Sequence, residues 1–274
     1  MTTHTDGHLS TGQYRQTWTP EGDVVGVVVL VHGLHEHAGR YAHVAQRLAR
    51  SGYATWAPDH PGHGRSPGSR GNIGSLAGTV AGVDETAQLA AAAHPGIPLF
   101  VYGHSMGGLV AAQYLTGAPS VPVRGGVLSA AALDLSSANR VVQLVAPVLG
   151  RLLPDLGTLQ LDAEAVSRDP AVVAAYRADP LNRMGKVRAR TGAEMVTAVA
   201  AMPDRLRRLT LPLLVLHGGA DRLVPPAASE LVATGTASSD VTHTVYPGLC
   251  HEAHNEPEQE QVLDDVVGWL DAHR

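Results

Sequence analysis

The chain has a single cysteine in 274 residues, Cys250, so it cannot form an intramolecular disulfide and has no need of an oxidising compartment. It has no run of Lys and Arg, and its formal net charge is −5. Because binding to nucleic-acid phosphates needs clustered basic side chains, we expect no nucleic-acid partner. No stretch approaches the ~18 apolar residues of a membrane span, and residues 1–12 lack the charged-then-apolar layout of a secretory signal. We therefore predict a soluble, cytoplasmic protein.

Apolar residues make up 44% of the chain and charged residues 16%, a balance typical of a globular protein with a large core. The length of 274 residues is above the average for one domain but within the range of α/β folds. The sequence has no internal repeat and no low-complexity linker. We predict one domain over residues 1–274.

Short apolar runs alternate along the chain with segments of helical periodicity. The predicted strands are Val24–Val31, Tyr53–Ala57, Pro98–Tyr102, Val123–Leu128, Leu211–Leu216 and Thr242–Tyr246. The predicted helices between and after them begin near Tyr41, Ser75, Met106, Pro226 and Glu258. Strands that alternate with helices predict an α/β fold with a mostly parallel sheet covered on both faces.

Residues 130–201 interrupt this alternation. They contain three helical patterns, Val141–Leu153, Ala171–Tyr176 and Gly192–Val199, but no convincing strand. The segment is longer than a single crossover connection needs. We interpret it as a helical cap inserted over the carboxyl edge of the sheet, with ordinary crossover helices as the alternative.

One serine has the surroundings of a catalytic nucleophile. Gly103-His104-Ser105-Met106-Gly107 matches G-x-S-x-G and lies between a predicted strand and a predicted helix, which is the context that makes the motif informative. A tight, strained turn exposes the Ser105 hydroxyl, and side chains at Gly103 and Gly107 would collide there. The helix N-terminus favours the negative charge that develops during ester cleavage.

A serine hydroxyl needs a base, and the base needs an acid to orient it. In this fold the three follow in the order serine, acid, histidine. Asp221 and His251 each come just after a predicted strand, so both should reach the edge that carries Ser105. His254 is a rival for the base and Asp59 for the acid, the latter interpreted as a loop anchor. Other polar residues near these strand ends are interpreted as surface or packing residues: His217, Asp240 and His243.

The negative oxygen of the tetrahedral intermediate needs two backbone donors. Met106 follows the nucleophile, and Leu34 lies in the loop after the first predicted strand, so their N–H groups are the candidates. His32, His35 and His37 cluster in the same loop, but their spacing is not that of H-E-x-x-H on a helix, and no second cluster offers further ligands. We predict no metal and no cofactor.

Four ordered motifs carry a resemblance that covers the chain from about residue 12 to its end. They are His32-Gly33-x-x-Glu36-His37-x-x-Arg40-Tyr41, Asp59-His60-x-Gly62-His63-Gly64-x-Ser66, Gly103-His104-Ser105-Met106-Gly107-Gly108 and Tyr246-Pro247-Gly248-x-x-His251-Glu252. The sequence resembles the monoacylglycerol lipase and lysophospholipase-like branch of the α/β-hydrolases, also called serine aminopeptidase S33, and above all its bacterial, mycobacterial-type members.

The resemblance implies that Ser105, Asp221 and His251 form the triad and that the N–H groups of Leu34 and Met106 form the oxyanion hole. It also implies a mobile, apolar cap that admits a fatty-acyl chain and that, in some members, touches membranes; Val141–Leu153 is apolar enough to do so. We therefore expect hydrolysis of a monoacylglycerol-like lipid ester, with peripheral membrane contact through the cap. The candidate pocket residues are His35, Tyr176 and His254.

The sequence departs from the family pattern at His35, where relatives usually have a small residue, and at Cys250, where an aromatic is common. Three other activities stay open as alternatives: lysophospholipase or general carboxylesterase activity, amide cleavage by an aminopeptidase, and binding without catalysis. Dehalogenases and epoxide hydrolases are excluded because they have aspartate at the position of Ser105.

Overall fold

The computed structural model describes residues 2–134 and 140–274. In the described chain, eight strands form one sheet: β1 (Thr2–His8), β2 (Tyr14–Pro20), β3 (Gly26–Val31), β4 (Tyr53–Pro58), β5 (Leu99–His104), β6 (Gly125–Ser129), β7 (Leu213–Gly218) and β8 (Val241–Tyr246). Their order across the sheet is β1-β2-β4-β3-β5-β6-β7-β8. From β4 to β8 all neighbours are parallel, whereas β1, β2 and β4 pair antiparallel. The predicted parallel sheet is confirmed.

Helices cover both faces of the sheet. They are α1 (Ala42–Arg50), α2 (Leu76–Ala93), α3 (Met106–Leu115), α7 (Ala227–Gly235) and α8 (Gln259–Ala272), with α4 to α6 described below. On β3 the side chains of Val27, Val29 and Val31 join the core under α2 and α3. Val28 and Leu30 face the opposite way and join the core under α1 and α8. Burial on both faces explains why this strand is a continuous apolar run rich in valine.

The hairpin of β1 and β2 is absent from the sequence-based prediction. Its register pairs Thr2 with Pro20 and His8 with Tyr14. The β1 side chains are polar and mostly exposed, so the strand has no buried face and no apolar alternation to reveal it. It is held instead by cross-strand contacts such as the His4 ring against Trp18, with centroids 5.0 Å apart.

Between β6 and β7 the chain forms three helices, α4 (Arg140–Leu152), α5 (Pro170–Ala178) and α6 (Ala189–Leu206). The described part of residues 130–206 contributes no strand to the sheet. We call residues 140–206 the insertion. Helices α4 and α6 approach so closely that a side chain at Gly150 would lie 2.6 Å from Ala193 Cβ. In the part of the chain that the structure describes, no helix combines the length and apolarity needed to span a bilayer.

The sheet brings four loops together because parallel strands end at the same edge. The carboxyl ends of β3, β5 and β7 lead into loops that carry Leu34, Ser105 and Asp221, and the loop after β8 carries His251. Strands β4 to β7 run one or two residues further than predicted, whereas β3 and β8 end where predicted. Strand β5, for example, continues to His104 and ends directly before the serine.

Candidate active site

Ser105 occupies a strained turn between β5 and α3. Its φ is 55° and its ψ −122°, a conformation that side-chain-bearing residues rarely adopt and that clusters at functional sites. A Cβ at Gly103 would lie 2.4 Å from the Gly107 carbonyl oxygen, and one at Gly107 would lie 2.0 Å from that of Val31. Both glycines are therefore sterically required, and the turn predicted from G-x-S-x-G is present.

The backbone around the serine is fixed by three hydrogen bonds. Ser105 N–H donates to the Ser129 carbonyl at 3.0 Å, and the Ser105 carbonyl accepts from Leu109 N–H at 3.2 Å and Ala132 N–H at 2.9 Å. Met106 is the first residue of α3, so its N–H has no acceptor inside the helix. Met106 directly follows the serine in the chain, so its N–H remains the predicted oxyanion donor.

The second predicted donor, Leu34, lies in a loop that is tied to the serine. Gly33 N–H donates to Glu36 Oε1 at 2.6 Å, so its own N–H is occupied. A Cβ at Gly33 would lie only 3.2 Å from Ser105 Cβ, which places this backbone against the nucleophile. Within the described residues, the Leu34 N–H makes no hydrogen bond and remains available to a ligand.

Asp221 and His251 form a buried pair. His251 Nδ1 donates to Asp221 Oδ2 at 2.7 Å, and Asp221 Oδ1 accepts from the backbone N–H groups of Leu223 at 2.8 Å and Val224 at 3.0 Å. Burial disfavours the charged imidazole, but the hydrogen bond and the charge of Asp221 outweigh it and raise the pKa of His251 above its usual 6.5. Asp221 therefore makes His251 a stronger base, as removal of a proton from the serine requires.

His217 is a further partner of this carboxylate. Its Nε2 lies 3.0 Å from Asp221 Oδ2 and 3.0 Å from the Val224 carbonyl oxygen. Because a carbonyl only accepts, Nε2 carries the hydrogen and donates to both oxygens. Burial opposes ionisation of Asp221, yet hydrogen bonds from His217 and His251 hold its pKa well below the usual range. Sequence reasoning missed this role; the four-residue separation of His217 and Asp221 across the turn after β7 was the available signal.

The Ser105 hydroxyl and the His251 ring line the same cavity. Within the described residues, no hydrogen bond joins Ser105 Oγ to His251 Nε2. Catalytic hydrogen bonds are often long without substrate and tighten when it binds, so this geometry is compatible with proton transfer between the two.

The rival residues have other contacts. The His254 ring stacks on Tyr41 with centroids 4.8 Å apart, and burial lowers its pKa to about 3. It is not among the residues that line the cavity in the described chain, so its prediction as a pocket residue is wrong. Asp59 accepts from the backbone N–H groups of Ala38 and Arg65, both at 2.8 Å, and is the loop anchor that we expected.

A buried ionic network connects the oxyanion loop to the histidine loop. Arg40 donates to Glu36 Oε2 at 2.6 Å and to both carboxylate oxygens of Glu252, at 2.6 and 2.7 Å. Tyr41 OH donates to Glu36 Oε1 at 2.7 Å, the same oxygen that binds Gly33 N–H. Glu252 is adjacent to His251, so one guanidinium fixes both sides of the site. The network explains why the first motif contains Glu36, Arg40 and Tyr41 and why the last one ends in Glu252.

The cavity above Ser105 has a volume of about 530 Å³, within the usual range of small-molecule sites. Its walls come mainly from the insertion and are mostly apolar, among them Leu149, Leu159, Leu161, Val187, Met195, Val196 and Val199. Of the three predicted pocket residues, His35 and Tyr176 line it. The Arg40 guanidinium lies over the Tyr176 ring, 4.6 Å from its centroid.

Metal ligation has no support in the part of the chain that the structure describes. There, no three His, Cys, Asp or Glu side chains are grouped so that they could hold an ion. His32 lies in the histidine-rich loop that suggested a metal site, but its two ring nitrogens make hydrogen bonds to backbone groups. Its Nδ1 donates to the Gly33 carbonyl at 2.7 Å, and its Nε2 accepts from His60 N–H at 2.9 Å.

Comparison with known proteins gives consistent matches. A profile of the family described as "Serine aminopeptidase, S33" matches residues 22–258. The monoacylglycerol lipase of Mycolicibacterium smegmatis is 48% identical over 93% of this chain and 91% of its own length, and the monoglyceride lipase of Rattus norvegicus is 33% identical over 96% and 88%. The crystal structure of Paleococcus ferrophilus monoacylglycerol lipase superposes with a TM-score of 0.85 and 32% identity, over 96% of this chain and 99% of the other. The α/β-hydrolase fold is confirmed.

Proposed function

Because this chain belongs to the S33 family of serine hydrolases, we propose that Ser105, His251 and Asp221 are its catalytic triad. The observation that carries this proposal is the pairing of the strained, glycine-flanked Ser105 with a buried His251–Asp221 hydrogen bond at one cavity. The chain is a carboxylic ester hydrolase, and the apolar cavity suits the acyl chain of a monoacylglycerol-type lipid.

The proposed reaction needs no group beyond the chain and water. His251 Nε2 accepts the Ser105 proton as Oγ attacks the ester carbonyl, and the N–H groups of Leu34 and Met106 bind the resulting oxyanion. Asp221 holds the proton on Nδ1 and stabilises the charged ring. His251 then protonates the glycerol oxygen as its bond to the carbonyl carbon breaks. Glycerol leaves, and the acyl group stays bound to Ser105 as an acyl-enzyme. Water, deprotonated by the same Nε2, releases the fatty acid and restores Ser105.

The test is reaction with a fluorophosphonate probe together with hydrolysis of monoacylglycerols of several chain lengths. We expect wild type to be labelled once and to release fatty acid, and Ser105→Ala to do neither. Ser129→Ala is the matched control, since Ser129 lies at the end of the neighbouring β6 and its backbone carbonyl, which the substitution keeps, accepts the hydrogen bond from Ser105 N–H. Labelling that survives in Ser105→Ala would exclude the proposal.

Amide cleavage is the competing activity suggested by the family name. An aminopeptidase needs a carboxylate for the substrate amine, but Glu36 and Glu252 in this cavity are already bound by Arg40. Comparing p-nitrophenyl acyl esters with aminoacyl-anilides separates the two activities. Faster turnover of the anilides would favour the peptidase.

We further propose that the chain is a single domain spanning residues 1–274, that about residues 130–201 form a cap on it, and that this cap contacts lipid surfaces. Leu144, Val148 and Leu152 repeat every four residues along α4, so they share one face, and they are 78%, 58% and 70% exposed. More exposed apolar side chains follow nearby in the chain: Leu153, Leu156 and Leu159. An amphipathic helix with such a face binds at a lipid interface.

Replacing these three α4 residues by serine is expected to weaken binding to vesicles of phosphatidylcholine and phosphatidylglycerol at least tenfold, because each loses roughly 1.5–3 kcal/mol of apolar burial. Co-sedimentation measures the effect. The matched control is Leu89→Ser with Leu231→Ser, two exposed leucines on α2 and α7. Equal binding by both variants would rule out this surface.

A further inference from the structure

Strand β1 forms one end of the sheet and uses only one of its two edges. Among the eight strands of the described chain, it pairs with β2 alone. Its seven residues, Thr2–His8, run opposite β2 without interruption, and all are exposed or partly exposed. They include neither proline nor lysine, which proteins commonly place at a free edge to block further pairing. The outer edge of β1 is therefore open to another strand.

Two backbone hydrogen bonds determine which residues of β1 face this outer edge. Leu9 N–H donates to the Gln13 carbonyl at 2.8 Å inside the hairpin. The Tyr14 carbonyl accepts from Asp59 N–H at 2.8 Å on the opposite side of β2. In antiparallel strands the N–H and carbonyl of one residue point to the same side, and successive residues alternate between the two sides. Both bonds therefore place the odd-numbered residues of β1 against β2. The residues whose backbone groups face outward are Thr2, His4, Asp6 and His8.

A second copy of β1 complements this outer edge. If two copies run antiparallel with Thr5 opposite Thr5, every outward-facing residue lies opposite another one. His4 then faces Asp6 of the other copy, and Thr2 faces His8. Because the pair is two-fold symmetric, an imidazole lies opposite a carboxylate twice, and opposite charges in such positions stabilise neighbouring strands.

Contacts within the hairpin already hold the two central side chains on one face of the sheet. The His4 ring packs against Trp18, and Asp6 accepts a hydrogen bond from the Tyr14 hydroxyl at 3.0 Å. Residues two apart in a strand point to the same face, so both groups are placed for a partner strand. Less side-chain freedom is then lost when the strands pair.

Strand β8 is the other end of the sheet in the described chain, and its edge lacks this complementarity. The Tyr246 carbonyl accepts from Gly219 N–H at 2.8 Å on the β7 side, so the alternate residues Val241, His243 and Val245 face outward. Two copies of β8 that pair antiparallel over all three residues bring His243 opposite itself and valine opposite valine. Charge complementarity therefore favours β1.

We propose that β1 is a self-association surface, at which two copies of this chain pair antiparallel about a two-fold axis at Thr5 and join their sheets. A single pair of strands buries less area than a standard interface, so the dimer is weak and forms at high protein concentration. The axis is perpendicular to the sheet and reverses the strand direction. The carboxyl edges of the two sheets, with their proposed triads, therefore face opposite ways, and both stay open to substrate.

Disulfide cross-linking tests the register. In a Cys250→Ser background, which removes the one native thiol, Thr5→Cys places two thiols opposite each other in a pair whose Cα atoms lie about 4.5 Å apart, within the range that a disulfide spans. The matched control is Thr3→Cys, on the same exposed face of the strand. Its two thiols would lie about 13 Å apart, because Thr3 faces Gly7 of the other copy.

Mild oxidation should convert Thr5→Cys to a covalent dimer on a non-reducing gel and leave Thr3→Cys a monomer. No dimer in Thr5→Cys, or equal amounts in both variants, would overturn the proposal.

A charge exchange tests the pairing without a covalent bond. By sedimentation velocity over a concentration series, His4→Asp should raise the dissociation constant roughly tenfold, because each dimer then has two pairs of facing carboxylates. His4→Asp with Asp6→His exchanges the two groups and should return the constant to the wild-type value. Val245→Asp, at the 40% exposed residue on the β8 edge, should leave it unchanged.

Three results of the sedimentation series would contradict pairing at β1. They are a wild type that stays monomeric at its highest soluble concentration, a loss of the dimer in Val245→Asp but not in His4→Asp, and a monomeric double variant whose unfolding temperature matches wild type. Activity separates misfolding from loss of the dimer, since β1 lies outside the proposed triad and kcat/KM of His4→Asp should equal that of wild type.

Discussion

Ser105→Ala and His251→Ala are each expected to lower kcat for a monomeric ester by about 10⁶-fold, and the double variant should lose little more. The serine is useless as a nucleophile without a base, and the base has no proton to take without the serine, so the two act as one unit. Their shared cavity, together with the Asp221 hydrogen bond on the far side of the ring, is the structural reason. The measurement is steady-state hydrolysis of a p-nitrophenyl ester by all three variants.

His254→Ala is the matched control for the histidine. His254 is three residues away and equally buried, but its ring stacks on Tyr41 and it does not line the cavity in the described chain. We expect it to lower stability, measured by thermal unfolding, far more than kcat. An inactive His254→Ala enzyme beside an active His251→Ala enzyme would reverse the assignment of the base. A double variant that loses the product of the two single effects would show that the residues act independently.

The positions of the proposed triad could be predicted because they depend on local signals and one topological rule. Gly103 and Gly107 mark the turn around Ser105, an apolar run marks the strand before Asp221, and a stretch rich in Thr and Val marks the strand before His251. Since parallel strands share a carboxyl edge, residues that follow such strands are brought together even when far apart in sequence. The positions of the triad residues could therefore be predicted without knowing how the helices pack on the sheet.

Contacts between distant polar residues could not be predicted in this way. Arg40 is in the loop before α1 and Glu252 lies 212 residues later, so neither sequence position indicates the other. His217 looked like one of several histidines, and only the direction of its side chain makes it a donor to Asp221. His254 failed for the same reason, because sequence proximity to His251 does not determine which way a side chain points in the short turn Ala253–Asn255.

Asp221→Asn is expected to lower kcat/KM by about 10⁴-fold near neutral pH, the scale seen when the aspartate of such a triad becomes an amide. The wild-type carboxylate accepts four hydrogen bonds, two from backbone N–H groups and two from His217 and His251. The two backbone N–H groups bind Oδ1 and the two histidines bind Oδ2, and an amide keeps an accepting oxygen at only one of these two positions. The backbone donors cannot change, whereas His251 can shift its proton, so we expect the amide nitrogen to face His251.

An amide N–H that donates to His251 Nδ1 moves the ring proton to Nε2, where it blocks removal of the serine proton. The variant also removes the negative charge that raises the pKa of His251. In wild type, activity requires the neutral ring, so kcat/KM should rise with pH through a value above 6.5 and then level off. In Asp221→Asn the remaining activity should rise at lower pH, because the imidazole loses its proton more readily without the carboxylate.

Asp59→Asn is the matched control, because Asp59 is another buried aspartate whose oxygens accept backbone N–H groups. It should lower the unfolding temperature without moving the acid limb of kcat/KM, since Asp59 does not contact His251 in the described chain. The measurement is kcat/KM from pH 5 to 9 for the three proteins. An Asp221→Asn enzyme within tenfold of wild type, or one with an unshifted acid limb, would mean that another group orients the histidine.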